Sequence, residues 1–322
     1  MFAPPVTTAA PTAHDTAIVT EWCRTLGKKL SSVSESECLA RRLIPSGGVS
    51  VRGLPLPVRD FPPAAERTPQ ARVLVLGGIH GDEYSSVSIV FKWMQVLEQF
   101  HTGLFHWRVL PLVNPDGLLQ AKSQRTNHRG IDLNRNFPTS NWQKESTDYW
   151  VRRTGKDPRR YPGEKALSEP EAQWIAREID QFRPNVIVAV HAPFNLLDFD
   201  GGPPLPPERL GPLYLSLLGT YPGSLGRYAG LEKRIPIITI ELTHAGIMPP
   251  EQEVRKIWTD LVRWVRDNIR DREPGPLLAR ESTPEPWPPA QKPYQPPPRP
   301  QVAPRPVPFQ DMLDVEISQK PE

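Results

Sequence analysis

An imidazole and a carboxylate stand three residues apart in the first third of the chain, at His80 and Glu83. The apolar run 73–76 before them predicts a buried strand, and apolar spacing over 87–97 predicts a helix behind them. The two side chains therefore lie where a strand passes into a helix, a position at which open α/β sheets tend to form their sites. Alone, the pair is a weak signal, because short motifs of this kind often occur without function.

Two later apolar runs also end in polar residues. Residues 186–190 are followed by His191, and the run 235–240 is followed by Glu241. Alternating strands and helices favour a largely parallel or mixed sheet with helices on both faces, that is, a three-layer α/β/α fold. Because parallel strands end at one edge of such a sheet, we expect these side chains to converge with the first pair.

Two histidines and a glutamate are a ligand set typical of catalytic zinc, and they leave a fourth position for water. We therefore expect His80, Glu83 and His191 to bind one zinc ion. A metal of this kind makes water nucleophilic near neutral pH. Glu241 then fits the role of the general base that passes a proton to the leaving nitrogen.

A polar stretch at 118–146 supplies the cations that such a reaction needs. Arg135 has a planar guanidinium suited to binding a carboxylate at two points, and Asn134 can add a hydrogen bond. Arg125 could stabilise the oxyanion of a tetrahedral intermediate. Arg135 could instead form an ordinary surface ion pair, with Asp132 among its nearest acids in the sequence.

The composition separates a folded core from unfolded flanks. The chain has 322 residues and 41 prolines, its hydrophobic content is 38%, and its net charge is +3. The low charge favours no nucleic-acid or membrane-surface partner, and no apolar run approaches the roughly 18 residues of a membrane span. We expect a disordered N-terminus (1–16), a helical hairpin (17–44), a catalytic domain (45–272) and a Pro-rich disordered tail (273–322).

Further expectations concern the tail, the end of the catalytic domain and the cellular location. The tail could bind an unknown partner, although a solvated tail is the simpler interpretation. Residues 192–208 are predicted to be loop, and 208–218 a short helix. The first 16 residues do not resemble a signal peptide, which favours the cytoplasm. Cys23 and Cys38 face each other in the predicted hairpin, and a disulfide there would favour the periplasm instead.

Taken in order, these segments resemble the zinc carboxypeptidases of the M14 type. The resemblance covers roughly residues 45–270 and is carried by G-G-I-H-G-D-E, N-P-D-G, D-L-N-R-N-F-P, the strand-ending histidine and I-T-I-E-L. It implies a mixed, mostly parallel sheet of about eight strands. It also implies the zinc ligands and the base named above, the oxyanion role of Arg125 and the carboxylate clamp of Asn134 and Arg135.

Segments 125–142, 190–194 and 222–226 are most similar to family members that cut the γ-D-glutamyl–meso-diaminopimelate bond of peptidoglycan peptides. The predicted function is therefore zinc-dependent hydrolysis of short peptides with a free C-terminal carboxylate, a small murein peptide being the favoured substrate. One alternative is an N-acyl amino-acid deacylase of the succinylglutamate desuccinylase or aspartoacylase kind. A third possibility, of another class, is a non-catalytic peptidoglycan-peptide binding protein.

Overall fold

The computed structural model describes residues 12–65 and 67–270. Seven strands form one mixed sheet in the order β1-β2-β4-β3-β5-β9-β6, and β7 and β8 form a separate two-stranded ribbon. The strands are β1 Ile44–Val49, β2 Pro55–Phe61, β3 Arg72–Leu76, β4 His106–Leu110, β5 Val186–His191, β6 Leu196–Asp200, β7 Arg209–Leu210, β8 Leu213–Tyr214 and β9 Ile237–Glu241.

The centre of the sheet is parallel and its flanks are antiparallel. Strand β3 pairs in parallel with β4 and β5, and β5 pairs in parallel with β9. The outer strands β2 and β6 run antiparallel to β4 and β9. All six residues of β5 are buried, as expected for a strand covered on both faces. The parallel centre brings the carboxyl ends of β3, β5 and β9 to one edge.

Helices cover both faces of the sheet and complete the three layers. They are α1 Ala13–Lys29, α2 Glu35–Ala40, α3 Tyr84–Phe100, α4 Pro115–Leu119, α5 Trp142–Arg152, α6 Pro170–Phe182 and α7 Glu251–Asn268. Apolar side chains of α1, α3 and α7 share one core with one face of the sheet, while those of α6 pack with the opposite face. This arrangement confirms the predicted α/β/α fold.

The helical hairpin belongs to the main core and is tied by a disulfide. Thr12 and Ser34 form capping boxes at the starts of α1 and α2, which fix where the two helices begin. Cys23 and Cys38 are bonded to each other. Trp22 and Leu26 are buried in the core that contains α3 and α7. The hairpin therefore contributes apolar surface to the same core as the sheet.

Several details differ from the sequence-based expectations. The main sheet has seven strands where about eight were expected. The segment 192–208, predicted as loop, contains β6, and 208–218, predicted as helix, contains β7 and β8. Strand β6 pairs with β9, which is distant in sequence, and β7 and β8 are only two residues long each. Neither segment shows an apolar run that would predict a strand. Helix α1 begins at Ala13, inside the segment 1–16 that was expected to be disordered.

The two predicted disordered ends fall largely beyond the part of the chain that is described. Residues 1–11 of the N-terminus and the whole Pro-rich tail, 273–322, lie outside it. The proposed tail partner therefore stays a prediction. In the ranges 12–65 and 67–270, no helix has both the length and the apolar composition that crossing a membrane requires.

Candidate metal centre and active site

His80, Glu83 and His191 come together at the carboxyl edge of the sheet. His80 and Glu83 lie in the turn between β3 and α3, and His191 is the last residue of β5. The turn packs tightly, because a Cβ at Gly81 would lie 2.3 Å from the carbonyl carbon of Gly117. All three side chains are buried, so the turn holds them away from bulk water.

The distances among these three groups fit a small cation. The Nδ1 atoms of the two imidazoles are 3.2 Å apart, and Glu83 lies 2.8 Å from His80 and 3.1 Å from His191 through its two oxygens. Ligand atoms about 2.1 Å from a tetrahedral zinc ion lie about 3.4 Å from one another. Two facing ring nitrogens beside a carboxylate are also the donor set that zinc prefers. The three residues can therefore hold a metal.

The electrostatics of the cluster keep the glutamate ionised. Burial would raise the pKa of Glu83, but the charge of His80 and the hydrogen bond with His191 lower it below its ordinary value. Burial would likewise lower the pKa of His191, and the hydrogen bond with Glu83 raises it. A buried anionic carboxylate between two imidazoles thus favours a positive charge at this position.

Asp132 is a buried member of the site that sequence reasoning did not assign to it. Its Oδ1 lies 3.2 Å from Nε2 of His80, and its Oδ2 accepts a hydrogen bond from Nε of Arg125 at 3.0 Å. Arg125 and then His80 outweigh burial and hold the pKa of Asp132 well below its usual range. The carboxylate therefore fixes the ring of one candidate ligand and the predicted oxyanion guanidinium together.

The sequence did contain a signal for Asp132, which is its place in the D-L-N-R segment. Its side chain caps the 3₁₀ turn Leu133–Arg135 by accepting a hydrogen bond from the Asn134 N–H. One residue thus orients both the ligand side and the clamp side of the site. From the sequence, Asp132 was expected only as a possible ion-pair partner of Arg135.

Arg125 and Asp82 lie beside the metal cluster but have different partners. The Nη1 of Arg125 is 3.5 Å from Glu83, which places the guanidinium directly next to the candidate ligands. Asp82, between the two ligands in sequence, pairs with Arg159 at 2.8 Å at a more exposed position. The structure therefore draws Arg125 into the site and directs Asp82 toward its rim.

Glu241 ends β9 and lies directly opposite His191 in the register of the two strands. Its Oε2 accepts a long hydrogen bond from the Phe194 N–H at 3.5 Å. Burial, together with the negative charge of Glu83, raises the pKa of Glu241 to about 7 although the nearby His191 opposes the shift. A carboxyl poised near neutral pH can both accept and return a proton.

Arg135 and Asn134 form the other side of the site. The guanidinium of Arg135 is buried, its carbon lies 4.6 Å from the ring centre of Tyr221, and its Nε has no partner among the described residues. The Asn134 side-chain oxygen accepts a hydrogen bond from the Leu225 N–H at 2.8 Å, which orients its amide group. A buried cation with an open donor suits an incoming carboxylate better than the surface ion pair first considered.

The structure thus gathers every predicted site residue into one region. Two strand ends, the turn before α3, the segment around Arg125 and the D-L-N-R turn supply them from five separate stretches of sequence. Their individual chemical roles stay predictions, because position alone does not show turnover. The site does, however, unite a metal-binding group, a buried carboxyl and two guanidinium groups.

The comparisons with known proteins agree with this geometry. The family model described as zinc carboxypeptidase matches residues 42–197. Murein peptide amidase A of Escherichia coli K12 is 32% identical over 231 residues, covering 69% of this chain and 91% of the relative. The enzyme of the same name from Vibrio campbellii is 31% identical over 221 residues, covering 66% and 85%.

A solved structure shows the same fold at lower identity. Carboxypeptidase A from Helicoverpa armigera superposes with a TM-score of 0.55 at 16% identity, over 76% of this chain and 79% of that one. This structural similarity shows the fold alone. Membership of the family is shown by the sequence identity with the murein peptide amidases. The chain therefore belongs to the zinc carboxypeptidase family, M14, and is a hydrolase.

Proposed function

We propose that the protein is a zinc-dependent peptidase that removes the last residue from short peptides with a free C-terminal carboxylate. The observation that carries this proposal is the arrangement of the His80–Glu83–His191 group beside Glu241, with Arg135 on the opposite side. A base next to a metal-binding group explains hydrolysis. A buried guanidinium within the same site explains why a terminal carboxylate would be required.

The chain's own residues would divide the reaction as follows. Arg135 and Asn134 bind the terminal carboxylate and so position the last amide bond. Glu241 takes a proton from the attacking water as its oxygen bonds to the carbonyl carbon, and then gives that proton to the leaving nitrogen as the carbon–nitrogen bond breaks. The guanidinium of Arg125 stabilises the negative charge that develops on the carbonyl oxygen.

The metal in this proposal is a single zinc ion. When bound by His80, Glu83 and His191, zinc would supply the Lewis acidity that makes water nucleophilic near neutral pH. Asp132 orients the ring of His80 through its Nε2, as carboxylates commonly do for histidine ligands. The family description supports zinc over other divalent metals.

The favoured substrate is the γ-D-glutamyl–meso-diaminopimelate bond of murein peptides. Support comes from the relatives named murein peptide amidase A and from the fit between a free carboxylate and Arg135. The test is to incubate zinc-loaded protein with L-Ala-γ-D-Glu-meso-diaminopimelate and to measure free diaminopimelate. Release is expected. Cleavage of ordinary C-terminal residues without this release would make the protein a general carboxypeptidase.

The same assay separates the two alternatives. Hydrolysis of N-acyl aspartate or N-acyl glutamate, with no peptide cleavage, would make the protein a deacylase. Tight peptide binding without any turnover by zinc-loaded protein would make it a binding protein. The presence of Glu241 argues against a non-catalytic binding protein, because peptide binding alone does not require a buried carboxyl beside the metal ligands.

We also propose that the protein works in an oxidising compartment. The bond between Cys23 and Cys38 supports this location over the cytoplasm that the sequence first favoured, since disulfides persist mainly outside reducing compartments. Thiol titration of freshly isolated native protein under denaturing conditions tests the proposal. We expect no free thiols. Two free thiols per chain would contradict the proposal and favour a cytoplasmic location.

A further inference from the structure

Residues 120–124 join helix α4 to Arg125 and form neither helix nor strand. Arg125 is the group expected to stabilise the negative charge on the carbonyl oxygen, so its guanidinium must keep its place beside the metal-binding group. The backbone carbonyl of Arg125 accepts hydrogen bonds from the Gly81 N–H at 3.3 Å and from the Asn114 amide at 3.1 Å. The 120–124 segment needs contacts of its own, because an irregular segment without them opens easily.

Lys29, the last residue of α1, provides such a contact. Its Nζ donates hydrogen bonds to the carbonyl oxygens of Gln120 at 2.7 Å and Ala121 at 3.1 Å. Lysines in a last helical turn often interact with the carbonyls of their own helix, whereas this one binds carbonyls 91 and 92 positions later. A hydrogen bond from an ammonium group is also stronger than one between neutral groups. Lys29 therefore ties the start of the 120–124 segment to the helical hairpin.

Tyr84 ties the same segment from the side of helix α3. Its hydroxyl donates a hydrogen bond to Ser123 Oγ at 2.7 Å. The Nζ of Lys29 lies 5.8 Å from the centre of the Tyr84 ring, within the range of a cation–π contact. Tyr84 directly follows Glu83, one of the candidate zinc ligands. Lys29 thus contacts both the 120–124 segment and the first residue of α3.

The helical hairpin presents Lys29 from a backbone that is fixed on several sides. The disulfide between Cys23 and Cys38 joins α1 to α2 within the hairpin. Apolar side chains of α1 are buried in the core that they share with α3. In the connection between the two hairpin helices, the hydroxyl of Ser32 lies 2.6 Å from that of Ser88 on α3. The ammonium group of Lys29 is therefore held at a defined point beside the 120–124 segment.

We propose that Lys29 is a positioning residue, which holds Arg125 in place through the 120–124 segment. The helical hairpin then supports the active site, although Lys29 lies outside the residues 42–197 that match the zinc carboxypeptidase model. This inference rests on the proposed peptidase function. It adds a residue to which the resemblance to the family assigns no role.

The kinetic effect follows from the stage of the reaction at which Arg125 acts. A guanidinium that stabilises the developing oxyanion binds more strongly in the transition state than in the ground state, so its displacement lowers kcat and leaves KM unchanged. Complete removal of such a donor costs about 100- to 1,000-fold in kcat. Loss of the Lys29 ammonium should cost less, about tenfold, because the carbonyl of Arg125 keeps its hydrogen bonds with Gly81 and Asn114.

The first experiment measures Lys29→Met, which keeps an unbranched stem and removes the ammonium group. With zinc-loaded protein and L-Ala-γ-D-Glu-meso-diaminopimelate, kcat should fall about tenfold while KM stays within about twofold of wild type. Lys28→Met is the matched control, since Lys28 is an exposed lysine in the same helical turn, and it should keep the wild-type kcat. Equal kcat values for the two variants, or a change confined to KM, would overturn the inference.

The second experiment is a double-mutant cycle with Arg125→Ala. If Lys29 acts through Arg125, adding Lys29→Met to Arg125→Ala should change kcat by less than about twofold. Losses that multiply would show that Lys29 acts by another route and would overturn the inference. A general loss of structure would lower kcat in both backgrounds, so the cycle distinguishes positioning from misfolding.

Hydrogen exchange separates this inference from the proposed function, because it needs no turnover. The Gln124 N–H donates to the Gly117 carbonyl at 3.0 Å and reports on the order of the segment. In zinc-loaded Lys29→Met, exchange in the proteolytic fragment 118–126 should be about tenfold faster than in Lys28→Met. If wild type cleaves no peptide but this difference holds, the peptidase proposal fails and the support of the segment by the hairpin stands. If wild type cleaves the peptide and exchange is equal in the two variants, the peptidase proposal stands and the inference fails.

Discussion

Glu171 and Asp200 are buried carboxyls whose pKa is raised to about 7 mainly by burial, yet their surroundings differ. Glu171 accepts a hydrogen bond from the Val51 N–H at 3.0 Å and another from the Asn127 amide at 3.3 Å. In the described part of the chain, nothing donates a hydrogen bond to Asp200, and its nearest charged neighbour is the acid Asp198. The fold supplies partners for one carboxyl and leaves the other without them.

The difference shows that a raised pKa does not by itself identify a functional group. The donors around Glu171 tie the chain near β1 to α6, so its burial serves structure. Asp200 packs against Gly226 and Gly230, and no described residue donates a hydrogen bond to its carboxyl. Glu241, the third carboxyl with a pKa of about 7, ends β9 opposite His191 and so lies within the candidate site.

The largest effect is expected at Glu241. Replacing it by glutamine removes the proton acceptor, so kcat on the murein tripeptide should fall about 1,000-fold. The zinc content, measured by atomic absorption, should stay at one ion per chain, because Glu241 is not among the three residues that can hold the metal. Turnover within tenfold of wild type would show that another group is the base and that Glu241 belongs with Glu171.

A smaller effect is expected at Asp132, the carboxyl whose pKa is held well below its usual range by Arg125 and His80. Asp132→Asn should weaken zinc binding about 10- to 100-fold, because the ring of His80 loses its anionic partner. Competition with a chromophoric chelator measures this change. Glu178→Gln is the control, since Glu178 is also a buried carboxylate paired with an arginine, Arg108, away from the metal cluster. Equal losses in the two variants would contradict the role of Asp132.

The structural carboxyl is expected to respond in stability. At pH 6, Glu171→Gln should lower the free energy of unfolding by about 1–3 kcal/mol, because an amide cannot accept hydrogen bonds at both positions. Urea denaturation followed by circular dichroism gives the value. Asp200→Asn, measured in parallel at pH 6, should lose no stability, because its carboxyl accepts no hydrogen bond from the described residues. A loss of stability in the Asp200 variant equal to that of Glu171→Gln would erase the contrast between the two carboxyls.

The smallest effect concerns the pH dependence of stability. Because the pKa of Asp200 rises from 3.8 to about 7 on folding, the wild type loses stability as the pH increases from about 4 to about 7. Asp200→Asn removes this loss and should be more stable than wild type at pH 8, with the gain vanishing near pH 4. Urea denaturation at the two pH values tests this. A gain of equal size at both would exclude ionisation of Asp200 as its cause.

The sequence predicted those parts of the molecule that local patterns encode. The apolar runs before His191 and Glu241 indicated buried strands, and both residues do end strands at the same sheet edge. The turn around His80 followed from glycines between a strand and a helix. The resemblance to zinc carboxypeptidases then gave the order of the segments, and the family is confirmed.

The remaining features depend on contacts that no local pattern records. Strand β6 was predicted as loop because the segment 192–208 is rich in proline and glycine, whereas its pairing and the burial of Asp198 and Asp200 depend on β9 and the following loop. Asp132 was missed for a similar reason, since its partner His80 is 52 positions away. In both cases a buried acid looks like a surface residue until its neighbours are known.

The close contact at Gly226 has a consequence for the evolution of the enzyme. A methyl group at this position would overlap the carboxyl of Asp200, and one at Gly230 would lie 2.7 Å from its Cβ. The acid and the two glycines therefore form a linked set, in which a change at one position restricts the residues tolerated at the others. A lineage that loses the acid becomes free to place larger residues at both glycine positions.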